Sequence, residues 1–194
     1  MLEVQLQQDL RTAAELLQRD LRRAGFRGVA ANGVWAPPHL VAGQPQPARL
    51  AQASPYETLQ TLAGGTELQY RYARAVGAAA MNGTNVVAAN EEFGVRLNNR
   101  TLYLQLGAAN GQPNWQPITD PDLVVIDAFT AQVDSQPVPL DDLCACDAGT
   151  PCPQSAVRRV TFTIKAHAAA DAALTRTVTV SEKLRADAIG GSCP

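Results

Sequence analysis

Residues 6–28, LQQDLRTAAELLQRDLRRAGFRG, decide the reading of the whole chain. Leu6, Leu10, Ala13, Leu17, Leu21 and Ala24 recur at steps of three and four, the spacing that gathers side chains into one stripe of an α-helix. The opposite face carries Gln7, Gln8, Arg11, Glu15, Gln18, Arg19 and Arg22. Glu15 and Arg19 stand four apart with the acid first, and Arg22 and Arg23 fall in the last turn, where cations meet the negative end of the helix dipole. Gly25 is placed to take a left-handed cap. The pattern predicts an amphipathic helix over 1–24, about 35 Å long at about 1.5 Å per residue. That is long for a chain of 194 residues. Its start carries no capping residue, as though it continued from a longer helix.

Beyond the helix, residues 28–65 are rich in Gly, Ala and Pro, and Pro37, Pro38, Pro45 and Pro47 argue against regular hydrogen-bonded structure there. This stretch reads as a surface loop anchored by the ring of Trp35, with a short helical turn at Glu57 to Leu62 and a break at Gly64 and Gly65. From 66 to 185 the pattern changes to strands. Leu68, Tyr70 and Tyr72 alternate with polar neighbours, as do Leu102, Leu104 and Leu106. Val95 to Leu97 should pair with Thr101 to Leu106 across a turn at Asn98 and Asn99, since asparagine tolerates positive φ. Leu123 to Val133 is the most β-branched run. Ala156 to His167 and Leu174 to Leu184 read as a closing hairpin, with Val160, Phe162 and Ile164 facing Leu174, Val178 and Val180. One helix followed by antiparallel strands implies a single α+β domain, the long N-terminal helix lying across one antiparallel β-sheet, with a tail at 186–194.

The helix text resembles a family. Residues 6–28, and LLQRDLRRAGF at 16–26 most closely, are similar to the second half of the N-terminal helix in minor type IV pilins of the PilW kind. They are also close to that of the J-type pseudopilins of type II secretion. Residues 93–106 (FGVRLNNRTLYLQL) and 115–129 (WQPITDPDLVVIDAF) resemble the body of such pilins. The resemblance implies a pilin-like fold and a non-enzymatic role in pilus assembly, adhesion and twitching motility. It also implies packing against other minor pilins and a tip adhesin. The residues it would use are on the polar helix face: Gln7, Arg11, Glu15, Gln18 and Arg22. Such proteins begin with a basic leader and about twenty apolar residues carrying a glutamate, a length that spans a bilayer. That segment is missing before Leu2, so Met1 reads as an added start. The expectation is a soluble fragment of a parent anchored in the inner membrane, then carried on the periplasmic side and in the pilus. The competing reading is a complete soluble protein whose helix packs on its own sheet.

Cys144, Cys146, Cys152 and Cys193 lie in the last quarter of the chain. A bond between Cys144 and Cys146 would close too small a ring to be relaxed. Two pairings remain, and Cys193 joins the 144–146 segment in both, a constraint worth roughly 2–4 kcal/mol. Disulfides point to an oxidising compartment. A zinc cage is the rival, but zinc ligands come in close pairs and Cys193 has no close companion. Asp141, Asp142 and Asp147 flank the same cysteines and could offer oxygen ligands to calcium, although no EF-hand spacing is present. A periplasmic binding domain or enzyme using this Cys/Asp loop is the alternative of another class.

Little else suggests catalysis. His39 and His167 are the only imidazoles and read as surface residues, and no nucleophile elbow, phosphate-cradling loop or His-Glu-x-x-His occurs. No metal or cofactor is expected. A net charge of −2, with no basic stretch interleaved with aromatics, gives no reason to expect nucleic acid. The densest cations, Arg22, Arg23 and Arg27, read as a solvated helix end.

Overall fold

The computed structural model describes residues 2–33, 38–48, 52–74, 86–140, 142 and 152–190. The helix forms as α1, Leu2–Leu21, and it buries the predicted stripe. Leu6, Leu10, Leu17 and Leu21 are each at most 1% exposed. Regular helix stops three residues before the predicted end. Ala24 N–H donates to Leu21 O at 3.0 Å and Phe26 N–H to Arg23 O at 3.0 Å, tightening the exit. Gly25 then takes the left-handed conformation at φ +82°, as the sequence predicts. No helix of the described residues is long and apolar enough to cross a membrane.

Apart from short 3-10 turns at Ala30–Gly33, Ala63–Gly65 and Ala89–Glu91, the regular structure described after α1 is β-strand. The strands are β1 (His39–Val41), β2 (Gln44–Gln46), β3 (Leu59–Leu62), β4 (Glu67–Arg71), β5 (Glu92–Asn98) and β6 (Thr101–Ala109). They continue with β7 (Gln112–Pro117), β8 (Val124–Pro139), β9 (Gln154–Ala168), β10 (Asp171–Lys183) and β11 (Ala188–Gly190). The expected single sheet does not form. β1 and β2 make a small hairpin, β3 to β7 make a five-stranded antiparallel meander, and β8 to β11 make a separate four-stranded sheet centred on β9. The molecule is therefore mostly β, and the α+β expectation of one helix across one sheet is corrected.

The physical reason lies between β7 and β8. Asp120 accepts from the N–H of Asp122 through its side chain at 3.0 Å, and from Val124 N–H through its carbonyl at 2.8 Å. This turn redirects the chain so that β8 pairs with β9 instead of continuing beside β7. Alternation of side chains identifies a strand but not its hydrogen-bond partner. The two sheets meet where Ile126 N–H donates to Arg100 O at 2.9 Å. Their inner faces share one core with α1: Leu68, Tyr70 and Phe93 from the first, Phe129, Phe162 and Ile164 from the second.

Local readings fare unevenly. Asn98 pairs with Thr101, so the β5–β6 turn is Asn99-Arg100, both at positive φ, one residue beyond the expected position. The primed turn needs positive φ at both central residues, and here an arginine supplies the second. Asn110 and Gly111 make the same turn between β6 and β7, a hairpin signal the sequence reading passed over. The expected facing of Val160, Phe162 and Ile164 with Leu174, Val178 and Val180 holds in part: Val180 lies opposite Phe162 and Val178 opposite Ile164, but Val160 lies opposite Glu182. The predicted helical turn at 57–62 is strand β3 over most of its length, and the proline loop contains β1 and β2, with Pro45 in a fully exposed strand. Proline is tolerated there because an edge position does not need its missing N–H. Trp35 lies outside the described residues.

Candidate functional site

The apolar stripe of α1 from Leu6 to Leu21 is buried in the core, so beyond the first turn, where Leu2 and Val4 are exposed, the surface the helix offers is polar. Gln7, Arg11 and Glu15 are exposed on its outer side. The predicted Glu15–Arg19 pair is not made: Glu15 accepts from Arg11 Nε at 2.8 Å. Gln18 and Arg22 turn back toward β10. Gln18 Nε2 donates to Glu182 Oε2 at 2.6 Å and Arg22 Nε to Glu182 Oε1 at 2.9 Å. Burial pushes the Glu182 carboxyl up, but the donors from Arg22 and Gln18 outweigh it and hold it below its ordinary value. The same contact raises Arg22. At the other end of the helix, Glu3 pairs with Arg176. The five predicted packing residues thus divide into three that face outward and two that fasten the helix to its own sheet.

Past the helix, the exit segment is stitched to β4. Gly25 N–H donates to Arg71 O at 2.8 Å and Ala73 N–H to Phe26 O at 2.7 Å. Asp20 accepts from the hydroxyls of both Tyr70 and Tyr72, the latter at 2.8 Å. Burial is the main cause that raises both tyrosines, with the Asp20 carboxylate adding to it. Tyr72 stacks on Phe93 with centroids 3.7 Å apart. The guanidinium of Arg23 lies 4.3 Å from the Tyr72 ring centre and that of Arg74 lies 5.2 Å from the Phe93 centre.

This stitching leaves an open cavity of about 700 Å³ between the helix end, the exit segment, the end of β4 and the segment after β10. Six arginines line it: Arg19, Arg22, Arg23, Arg27, Arg74 and Arg185. Glu57 and Asp187 are the acids, and Phe26, Ala73 and Ile189 supply apolar wall. Arg27 Nη1 donates to Gln52 O at 2.9 Å, and burial lowers its pKa. Behind the cavity Arg158 is only 6% exposed. It donates to Glu57 O at 2.6 Å and Ala186 O at 3.2 Å, and its Nε has no partner. Burial lowers Arg158 as well, against the field of Glu57 and Asp187. Glycine is favoured at Gly25 by its φ of +82°, and a Cβ there would also stand 2.6 Å from Arg158 Nη2, the end of a side chain held by two backbone carbonyls.

A second polar network fixes the neighbouring loops. Glu91 accepts from Tyr56 Oη at 2.7 Å, from Arg74 N–H at 2.9 Å and from Ala88 N–H at 2.9 Å. Burial pushes its carboxyl up, but these donors outweigh it and lower the pKa; Tyr56 is pushed up to about 12, chiefly by burial.

The sequence reading recognised three of the six arginines as a cluster, Arg22, Arg23 and Arg27, and took them for a solvated helix end. Arg74 and Arg185 are brought in by the fold from positions about 50 and 160 residues away, for which no local signal exists. Cys144, Cys146, Cys193, Asp141 and Asp147 lie outside the described residues. Cys152 is disulfide-bonded. Among the described residues no three His, Cys, Asp or Glu side chains gather as a metal site. His39 sits on β1, and the ring of His167 on β9 lies 2.9 Å from the Asp127 carboxylate.

A family model described as prepilin peptidase-dependent protein B matches residues 1–184. Neither a curated protein nor a solved structure gives a significant match. The chain belongs to the prepilin peptidase-dependent protein B family, and through it to the type IV pilin and pseudopilin systems.

Proposed function

We propose that this chain is the folded domain of a minor pilin of the PilW kind, a non-enzymatic subunit that helps initiate type IV pilus assembly and takes part in the complex at the tip. The family match over 1–184 carries the reading, because it links the chain to pilus-related, prepilin-peptidase-dependent proteins. The helix adds physical support. A subunit that joins a filament needs a fold that survives without the neighbours and a surface left for them. Here the apolar stripe is spent on the internal core while Gln7, Arg11 and Glu15 remain uncovered along the outer side. Packing through such a surface is polar and modest per contact, so assembly is built from several subunits and several contacts together.

The test is capture of the purified soluble domains of the other minor pilins and of the secretion pseudopilins from the same genome by this chain. Capture of minor pilins supports the proposal. Capture of secretion pseudopilins instead moves the chain to the J-type role in type II secretion, and capture of neither sinks the pilus reading.

A further inference from the structure

We infer that the arginine-lined cavity at the end of α1 is a docking site for an acidic peptide segment of another pilus subunit, an assignment that rests on the pilus reading above. Six of the chain's sixteen basic residues line one cavity with two acids, a formal excess of four positive charges. The net charge is −2, so the residues outside the cavity carry −6.

The helix end does not account for this excess. Its dipole is equivalent to roughly half a negative charge, which one or two cations in the last turn offset. Arg74 and Arg185 are not on the helix at all, and Arg158 adds a buried guanidinium behind the wall. Internal pairing accounts for only part of it, since Glu182 offsets Arg22 and leaves an excess of three. Arg22 is paired with Glu182, whose carboxylate also feels Arg185; for Arg19 and Arg185 no carboxylate lies within 4.0 Å among the described residues.

Several of the cations are held in place already. Arg22 is fixed by Glu182, Arg23 by the Tyr72 face, Arg74 by the Phe93 face and Arg27 by the Gln52 carbonyl. Guanidinium groups anchored this way lose less side-chain freedom on binding and keep in-plane donors for carboxylates. The apolar wall formed by Phe26, Ala73 and Ile189 raises the field inside the cavity and gives contact to side-chain carbon. A peptide carrying carboxylates between apolar atoms matches both features. A long polyanion such as nucleic acid does not, because it would extend beyond the cavity to a chain whose remaining residues carry a formal −6.

The experiment is a titration of a fluorescein-labelled hexaglutamate peptide into the full chain at about 0.01 M salt, where charges are felt over about 30 Å. The expected result is saturable one-to-one binding that weakens as salt rises, with no binding of hexaglutamine. The Arg19→Gln, Arg185→Gln double variant should bind at least tenfold more weakly. An Arg159→Gln, Lys165→Gln variant, which removes the same charge from the outer face of the four-stranded sheet, should bind within about twofold of the parent chain. Absence of binding, or equal loss in the two variants, overturns the proposal. Displacement of the peptide by inorganic phosphate at equal concentration assigns the cavity to small anions and also overturns it.

The same double variant is then run in the capture assay with minor pilin domains. Loss of capture supports the docking site. Retained capture overturns the site while leaving the pilus reading intact. Absent capture by the parent chain fails the pilus reading, and the peptide titration then decides the cavity alone.

Discussion

The buried stripe of α1 and the arginines just beyond it are less than two turns apart, yet they are held in place by different forces. Leu10, Leu17 and Leu21 are packed on every side, so their positions follow from excluding water. Arg19 and Arg185 are exposed, and their positions follow from the segments that carry them. The comparison separates two uses of one helix. Burial makes the stripe responsible for stability, whereas Arg19 and Arg185, with no carboxylate within 4.0 Å among the described residues, are available for a partner.

The strongest way to break that comparison is Leu10→Ala. Loss of a fully buried leucine should cost about 2–5 kcal/mol, read as a fall in the urea midpoint. A cost under about 1 kcal/mol would mean that the stripe is not part of the core. Gly25→Ala tests the junction between the two regions. Positive φ and the close approach to Arg158 should together cost about 1–3 kcal/mol, and peptide binding should weaken as the cavity wall shifts.

Acid should sharpen the contrast. Glu91 has a lowered pKa in the folded state, so its contribution is fully present above the ordinary glutamate range and is lost as pH falls through the folded value. Thermal melts from pH 6 to pH 3 should decline less steeply in Glu91→Gln than in the parent chain, offset by a lower starting melting temperature. Tyr56 works in the opposite direction. Its raised pKa gives stability that is present below about pH 10, and that is lost as pH climbs through about 12. Tyr56→Phe should flatten that alkaline decline. The smallest effect belongs to Arg185→Gln, with stability changed by no more than about 0.5 kcal/mol by urea unfolding. A large loss there would make the arginine rim structural and erase the distinction.

How far the sequence could be read depended on whether the signal was local. The stripe of α1, the left-handed glycine at its end and the alternation along β9 and β10 are set by residues a few positions apart or by a simple period. Strand β3 departs from the expected helical turn because a four-residue strand at an edge, exposed over most of its length, shows little alternation. The β1–β2 hairpin was discounted because prolines argue against a strand that must donate, a cost an exposed edge does not incur. Asn110-Gly111 is a hairpin signal carried by two adjacent residues, both at positive φ. In the cavity, Arg22, Arg23 and Arg27 were visible as a run but not as part of a site, because the cations that complete it arrive from the end of β4 and from beyond β10.

The sequence by itself determined an amphipathic N-terminal helix, a β-rich body after it, and membership in a pilus-related family whose match runs from the helix through the strands to residue 184. Only the tertiary structure decided that the strands divide among three sheets, that Gln18 and Arg22 fasten the helix to Glu182, and that six arginines meet around one cavity. The reason is physical. Periodicity records which face of an element avoids water, whereas the partner across a hydrogen bond and the field in a cleft depend on turns and contacts between residues far apart in the chain.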